Sequence, residues 1–309
     1  MATSRSAGAV RVHAYESDAR SYHVNAHWVE SDQGIVLIDT LLLKSDARRL
    51  AEKLKATAKP LLAILITHPH VDHFSGTGVL RAAFGPVPVC ATRATADGML
   101  RAMAKATAQG WLKALGDDHD PDVVLPDCVL EPDAEVTLGN LAFRVLDLGG
   151  MESENNTVFH LPAAGVLFGG DATVSNAVYF VGDGRSQKAL DGLRQLASRF
   201  AADTSVYSGH YRPETLGALL RENTRQIERM REVMNAVRAE PGALTDAGQL
   251  TAAARSRAVQ ALVGAAEQRE GYGMDPRAVA SMNLQELMRE WRESRQAHAA
   301  AAGNEARPQ

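Results

Sequence analysis

The chain has 309 residues, 45% of them hydrophobic and 23% charged, which is enough apolar material for one large globular domain or two small ones. A formal charge of −4 and a pI near 6.2 exclude the concentrated basic face that nucleic-acid binding needs, and no apolar run approaches the length of a membrane span. Residues 1–8 lack the apolar core of a signal peptide, and Cys90 and Cys128 stand far apart with no C-x-x-C pairing, so the composition predicts a cytoplasmic protein with two free buried thiols.

Alternating apolar residues predict strands through Val10, Val12 and Ala14, through Tyr22, Val24, Ala26 and Trp28, and over residues 34–39. His23 and His27, on the face opposite Tyr22 and Trp28, read as half-exposed strand histidines. Ser45 opens a helix with Leu50 and Leu54 as its apolar stripe, ending before Lys59-Pro60. Residues 61–66 form a short, wholly apolar run, the pattern of a strand buried on both faces. It ends in Thr67-His68-Pro69-His70-Val71-Asp72-His73, so three of the ten histidines fall within six positions beside an aspartate. Capping the following helix needs one polar residue, not four. Imidazole and carboxylate are ligands of zinc, iron and manganese, and His68 and His70, two apart in extended chain, point the same way and can grip one ion. Asp72 and His73, past the bend, can serve a second.

A short helix from Gly76 and a strand over 87–91, bounded by Pro86 and Pro88, continue an alternation that predicts a layered α/β fold. Residues 92–116 read as helical with Met99, Met103 and Trp111 on the apolar side, Trp111 being a candidate substrate contact. Residues 116–121, with a histidine among three aspartates, read as a solvated loop. Strands follow over 134–138, 141–148, 156–161 and 165–170, with a hairpin signal at Gly139-Asn140, and another over 177–181. Ser186 caps a helix, and Val206-Tyr207-Ser208 delivers His210, flanked by Tyr207 and Tyr211 as candidate substrate or oxyanion contacts. From residue 214 onward the spacing turns helical in three stretches, broken by Pro241-Gly242 and restarted at Asp275-Pro276. The expected division is a catalytic domain over 1–213, a helical extension over 214–297 packed on it or at a homodimer interface, and a frayed tail over 298–309.

The His-x-His-x-Asp-His motif after an apolar strand resembles the metallo-β-lactamase superfamily. The likeness extends to the strand ending in Asp39-Thr40, the strand ending in Gly170-Asp171, and Ser208-Gly209-His210, over roughly residues 9–212. It implies a four-layer αββα sandwich with a C-terminal helical extension, holding two divalent metal ions, with zinc the first choice. The implied ligands are His68, His70 and Glu152 on one ion and Asp72, His73 and His210 on the other, with Asp171 bridging; Asp72 is also the catalytic candidate. Asp39 either orients a ligand histidine or caps the turn after its strand. The implied reaction is hydrolysis of an ester-, lactone-, thioester- or amide-type bond in a small-molecule substrate by a water activated between the metals.

One position departs from the family pattern. A Gly-His-x-x-x-Asn/Asp loop normally supplies the third histidine of the first metal, and residues 149–158 place Glu152 there. A harder, anionic donor moves preference toward iron or manganese. Glutamate at this position resembles the di-iron β-hydroxylase of chloramphenicol biosynthesis, and alkylsulfatases also carry carboxylate-rich sites, so an oxygen-activating enzyme or a sulfate ester hydrolase are the alternatives. A binding module with a degenerate site is the weakest reading, since only position 152 departs. No basic cluster marks an anion pocket in the sequence, where Arg212 is the one cation beside a ligand.

Overall fold

The apolar runs assemble into two six-stranded sheets in the computed structural model, which describes residues 10–266 and 269–305; the side chains of Trp111 and of residues 298–305 lie outside the described set. The first sheet, in spatial order, is β1 (Arg11–Glu16), β2 (Asn25–Glu30), β3 (Ile35–Ile38), β4 (Leu61–Leu65), β5 (Val89–Thr92) and β6 (Cys128–Leu130). The second is β7 (Glu135–Leu138), β8 (Leu141–Gly149), β9 (Asn156–Leu161), β10 (Val166–Gly170), β11 (Ser205–Ser208) and β12 (Glu214–Thr215). β3, β4, β5 and β6 run parallel, as do β10 and β11. Eight α-helices complete the described chain: α1 (Lys44–Ala56), α2 (Val71–Phe74), α3 (Thr77–Phe84), α4 (Arg93–Gln109), α5 (Ser186–Arg199), α6 (Leu216–Ala239), α7 (Ala252–Ala265) and α8 (Pro276–Glu305).

The central strands are apolar throughout because both of their faces are covered. In β3, Val36 and Ile38 point between the sheets, against Phe143, Phe159 and Phe168, while Ile35 and Leu37 point outward to Leu50, Leu54, Leu80 and Met99 of the flanking helices. Residues of the second sheet divide in the same way. Phe168 faces the first sheet, whereas Leu167, Val158 and Leu146 face α5 and the C-terminal helices. These three apolar layers make the αββα sandwich, each fully buried leucine or phenylalanine contributing about 1.5–3 kcal/mol. Among the described residues no helix is long and apolar enough to cross a membrane.

The apolar stripes of the C-terminal helices close onto this sandwich. Leu219, Ile227, Met230 and Met234 of α6, with Leu284 and Leu287 of α8, join Leu190, Leu193 and Val206 in one core. This packing explains why residues 177–181 are not the strand that their sequence suggests. Their backbone pairs with side-chain amides. Asn223 bonds both the N–H and the carbonyl of Val174, at 3.0 and 2.8 Å; Gln226 accepts from Tyr179 N and donates to the Ala177 carbonyl; Asn283 accepts from Val181 N and donates to the Tyr179 carbonyl. Among the described residues, the one ladder-like contact is Ala177 beside Glu270. All three amides are buried. Asn283→Ala is therefore expected to lower unfolding free energy by about 1–3 kcal/mol in urea denaturation, since it strands a buried donor and a buried acceptor; an unchanged midpoint would contradict this role.

Several local expectations are corrected by packing. Ser186 is the first residue of α5 rather than its cap, and its hydroxyl donates to Glu290 at 2.5 Å; the same carboxylate accepts from Gln187 N, so α8 caps α5. The helix expected over 92–116 stops at Gly110, whose φ of 78° ends α4, and residues 111–118 continue as 3-10 turns. Residues 116–121 are not simply solvated: Asp118 accepts from Ser45 N and Oγ, and His119 is buried. His27 is buried too, its Nε2 at 2.9 Å from the Ser208 carbonyl, while His23 is half-buried as expected. The two cysteines are not free thiols. Register places Cys90 opposite Cys128 on β5 and β6 with Cα atoms 4.4 Å apart, and the pair forms a disulfide.

Candidate metal centre

The two sheets deliver the chemistry-bearing residues to one end of the sandwich. β4 ends just before His68, α2 carries Asp72 and His73, the β8–β9 loop carries Glu152, Asp171 follows β10, and His210 follows β11. The chain reaches this geometry by specific backbone choices. Asp39 sits at φ 60°, a left-handed conformation costly to a residue with a Cβ. Gly170 (φ 48°) has no room for a Cβ, which would come within 2.7 Å of Thr67 Oγ1. At Gly209 a Cβ would lie 2.1 Å from Asp171 Oδ1.

The histidines are oriented from behind. Asp39 accepts from Thr67 N at 2.9 Å, Thr67 Oγ1 at 2.8 Å and His73 Nδ1 at 2.9 Å, which makes it an orienting carboxylate more than a turn cap. The Thr67 hydroxyl donates to Asp39, so its oxygen accepts from His68 Nδ1 at 2.9 Å. His210 Nδ1 donates to the Tyr22 carbonyl at 2.8 Å, since a carbonyl only accepts. With their Nδ1 atoms engaged, His68, His73 and His210 all aim Nε2 inward. Asp171 Oδ2 lies 3.8, 3.6 and 3.2 Å from these three atoms. His70 approaches differently, with Nδ1 at 2.9 Å from Glu152 Oε1 and Nε2 at 3.5 Å from Asp183 Oδ2.

Candidate donors fall into two main groups, His68, His70, Glu152 and Asp171, and Asp72, His73 and His210, with the donor atoms of each group within 4.8 Å of one another. Asp171 belongs to the first and reaches the second. A third group, Asp39 with His68 and His73, shares its histidines with the other two, and the Asp39 oxygens are already engaged behind them.

Unmet polar atoms test whether this centre fits a cation. His68 Nε2, His73 Nε2, Glu152 Oε2 and Asp171 Oδ1 are buried with no hydrogen-bond partner, an arrangement that costs free energy unless a cation satisfies it. Burial, with His73 adding to it, holds His68 well below its ordinary value, so its lone pair is free. Burial pushes the Glu152 carboxyl up to about 7 against the pull of His70. Burial also opposes ionisation of Asp171, but His210 and His73 outweigh it and hold the carboxyl well below the usual range. The residues fit one or two metal ions.

A chamber of about 440 Å³ opens onto this cluster. Asp72, Glu152, Asp171 and His210 form its floor; Phe180, Met274, Ala278 and Met282 supply apolar walls, and Tyr22 and Tyr272 stand beside His210. Neither expected tyrosine lines it. Tyr207 packs between the sheets, 5.6 Å from the Phe168 ring, and Tyr211 stacks on His23 at 5.2 Å. The side chain of Trp111 lies outside the described residues. Tyr22, Phe180, Asp183 and Tyr272 carry no metal-like spacing in the sequence.

Residues 20–210 match the metallo-beta-lactamase superfamily, and the chain belongs to it. Among curated relatives, a hydroxyacylglutathione hydrolase from Alkalilimnicola ehrlichii is 33% identical over 168 residues, covering 53% of this chain and 53% of that protein, and one from Rhodobacter capsulatus is 30% identical over 149 residues, covering 48% and 47%. The chain thus spans about half the length of these two relatives. Among solved structures, a beta-lactamase domain protein from Burkholderia ambifaria covers 90% of the chain and 84% of its own length, with a TM-score of 0.66 at 20% identity. TTHA1623 in a di-iron-bound form covers 69% of the chain and 98% of its own length, with a TM-score of 0.55 at 28% identity.

Proposed function

We propose that the chain is a binuclear metallo-hydrolase that cleaves an acyl bond, thioesters first, in the chamber bounded by α4, α8 and the 172–184 loop. The observation that carries this reading is the convergence of seven donor side chains in two groups joined by Asp171, several with buried unmet atoms turned inward. His68, His70, Glu152 and Asp171 would hold one ion and Asp72, His73, His210 and Asp171 the other. Ions bound there would supply Lewis acidity and a water that ionises near neutral pH.

The protein's own residues do the rest. Asp72 is the most accessible carboxylate of the cluster and lines the chamber, where it accepts a proton from the attacking water and returns it to the leaving group. Asp39, Thr67 and the Tyr22 carbonyl keep three imidazoles in one tautomer and orientation. Phe180, Met274 and Met282 hold an apolar acyl group and exclude water. The relatives named hydroxyacylglutathione hydrolase support a thioester as the bond. Glu152, together with a relative solved in a di-iron form, supports iron as an alternative metal and di-iron oxygen activation as a second reading. The Cys90–Cys128 bond suits oxidising surroundings, which weighs against the cytoplasmic setting that free thiols would have fitted.

Removing metal tests the proposal. Chelated protein is expected to lose hydrolysis of acyl thioesters, and zinc or iron to restore it, without oxygen consumption. Thioester hydrolysis that survives complete metal removal sinks it, whereas oxygen uptake coupled to substrate oxidation would select the second reading.

A further inference from the structure

A second cavity, of about 700 Å³, adjoins the metal chamber, and the two share His70, Lys105, Asp183 and Gln285 in their walls. Its lining is strongly basic, contrary to the expectation that no cation cluster exists. α4 contributes Arg101 and Lys105, one turn apart; Arg185 and Lys188 stand at the start of α5; Arg255 comes from α7, and α8 adds Arg289 and Arg292. Seven cationic side chains face three carboxylates, and Glu293 just outside the lining pairs with Arg185 at 3.2 Å, which leaves an excess of three positive charges. Each carboxylate is already engaged: Glu154 by Arg101 at 2.7 Å, Asp183 by Lys105, and Glu286 by Arg185 and Arg289. Lys188, Arg255 and Arg292 meet no carboxylate among the described residues. So many cations gathered around one concave space repel one another unless an anion enters.

We propose that this cleft receives a polyphosphate handle on the substrate, so that the substrate is an acyl thioester whose thiol half carries several phosphates, as in coenzyme A. The inference rests on the hydrolase reading above. The acyl group lies in the apolar-walled chamber, the carbonyl at the metal residues, and the phosphates among Lys188, Arg255 and Arg292. Water adds its oxygen to the carbonyl carbon, the C–S bond breaks, the thiol leaves with one proton, and the acid product releases the other. A handle with one net negative charge, such as a small peptide thiol, would leave most of the cationic excess unpaired. Several phosphates match it, and guanidinium forks bind phosphate oxygens in pairs.

The test separates the handle from the reaction. The 3′-phosphorylated ADP portion of coenzyme A, lacking the thiol arm and so unable to ligate metal through sulfur, is titrated into the metal-loaded protein by calorimetry, with S-methylglutathione as the singly anionic comparison. The nucleotide is expected to bind at least about tenfold tighter than S-methylglutathione, to weaken in high salt, and to weaken about a hundredfold in Lys188→Ala/Arg255→Ala/Arg292→Ala, as loss of several charge-assisted hydrogen bonds requires. The salt titration uses the parent protein and needs no variant to fold. In parallel, kcat/KM is compared for butyryl-coenzyme A and butyryl-N-acetylcysteamine, which present the same thioester with and without phosphates. Their ratio is expected to exceed about a hundred in the parent and to fall toward one in the triple variant. Absent or salt-insensitive nucleotide binding, or equal rates on both thioesters, overturns the inference while leaving the hydrolase reading intact. Tight nucleotide binding with hydrolysis of neither thioester supports the handle and counts against the hydrolase reading.

Discussion

His68→Ala protein is expected to lose metal from the group that includes His70 and Glu152 and to turn over thioester about a thousandfold more slowly, or worse. The side chain is fully buried, its Nε2 lies 3.8 Å from both Glu152 and Asp171, and its Nδ1 ends the chain running from Asp39 through Thr67. Alanine removes a donor that no neighbouring group can replace. Metal content by mass spectrometry and kcat on one thioester give the result directly. Holding metal and folding are linked, so the rise in melting temperature on adding metal should shrink as well. A fully active His68→Ala protein with no metal would refute both the centre and the reaction assigned to it.

Glu152 has the second large effect, and it distinguishes donor charge from donor position. The carboxylate is buried, with Oε1 against His70 and Oε2 unmet. Glu152→Ala should empty the group shared with His68 and His70 while Asp72, His73 and His210 keep their ion. Loss of outer partners already costs about 10–100-fold in metal affinity, and a direct donor is worth no less. Glu152→His offers the neutral nitrogen more usual in the superfamily, so zinc affinity should recover relative to Glu152→Ala and the preference for iron or manganese should fall. Parent-like stoichiometry and metal preference in both variants would show that Glu152 only packs.

The convergence of the candidate donors was legible because their spacing is local: His68, His70, Asp72 and His73 lie at one strand end, and Asp171 and His210 each follow a short strand. Glu152 could be read only by register against β9. What surrounds the cluster was less legible, because it is assembled across long separations. The seven cations of the adjoining cleft come from α4, the start of α5, α7 and α8, so no stretch of sequence looked basic. Tyr272 approaches His210 from 62 residues downstream, with ring centroids 4.8 Å apart. The Cys90–Cys128 bond required knowing that β5 and β6 are neighbours in register. Residues 177–181 carry a strand-like pattern, but pattern reports which faces are buried and not what the backbone bonds to.

That last segment divides the labour of the chain. Asn223, Gln226 and Asn283 hold residues 174–181 by the backbone, and Phe180 and Asp183 reach the chamber from this stretch and the turn that follows it. A rotation of α6 or α8 would carry those side chains with it, whereas the candidate donors sit at the ends of sheet strands and on the short α2, outside both helices. The donor cluster and the shape of the space above it are therefore inherited through different parts of the molecule. Drift in the helices can redraw what enters without touching a single donor, and amides that contact no substrate become the levers through which selectivity changes.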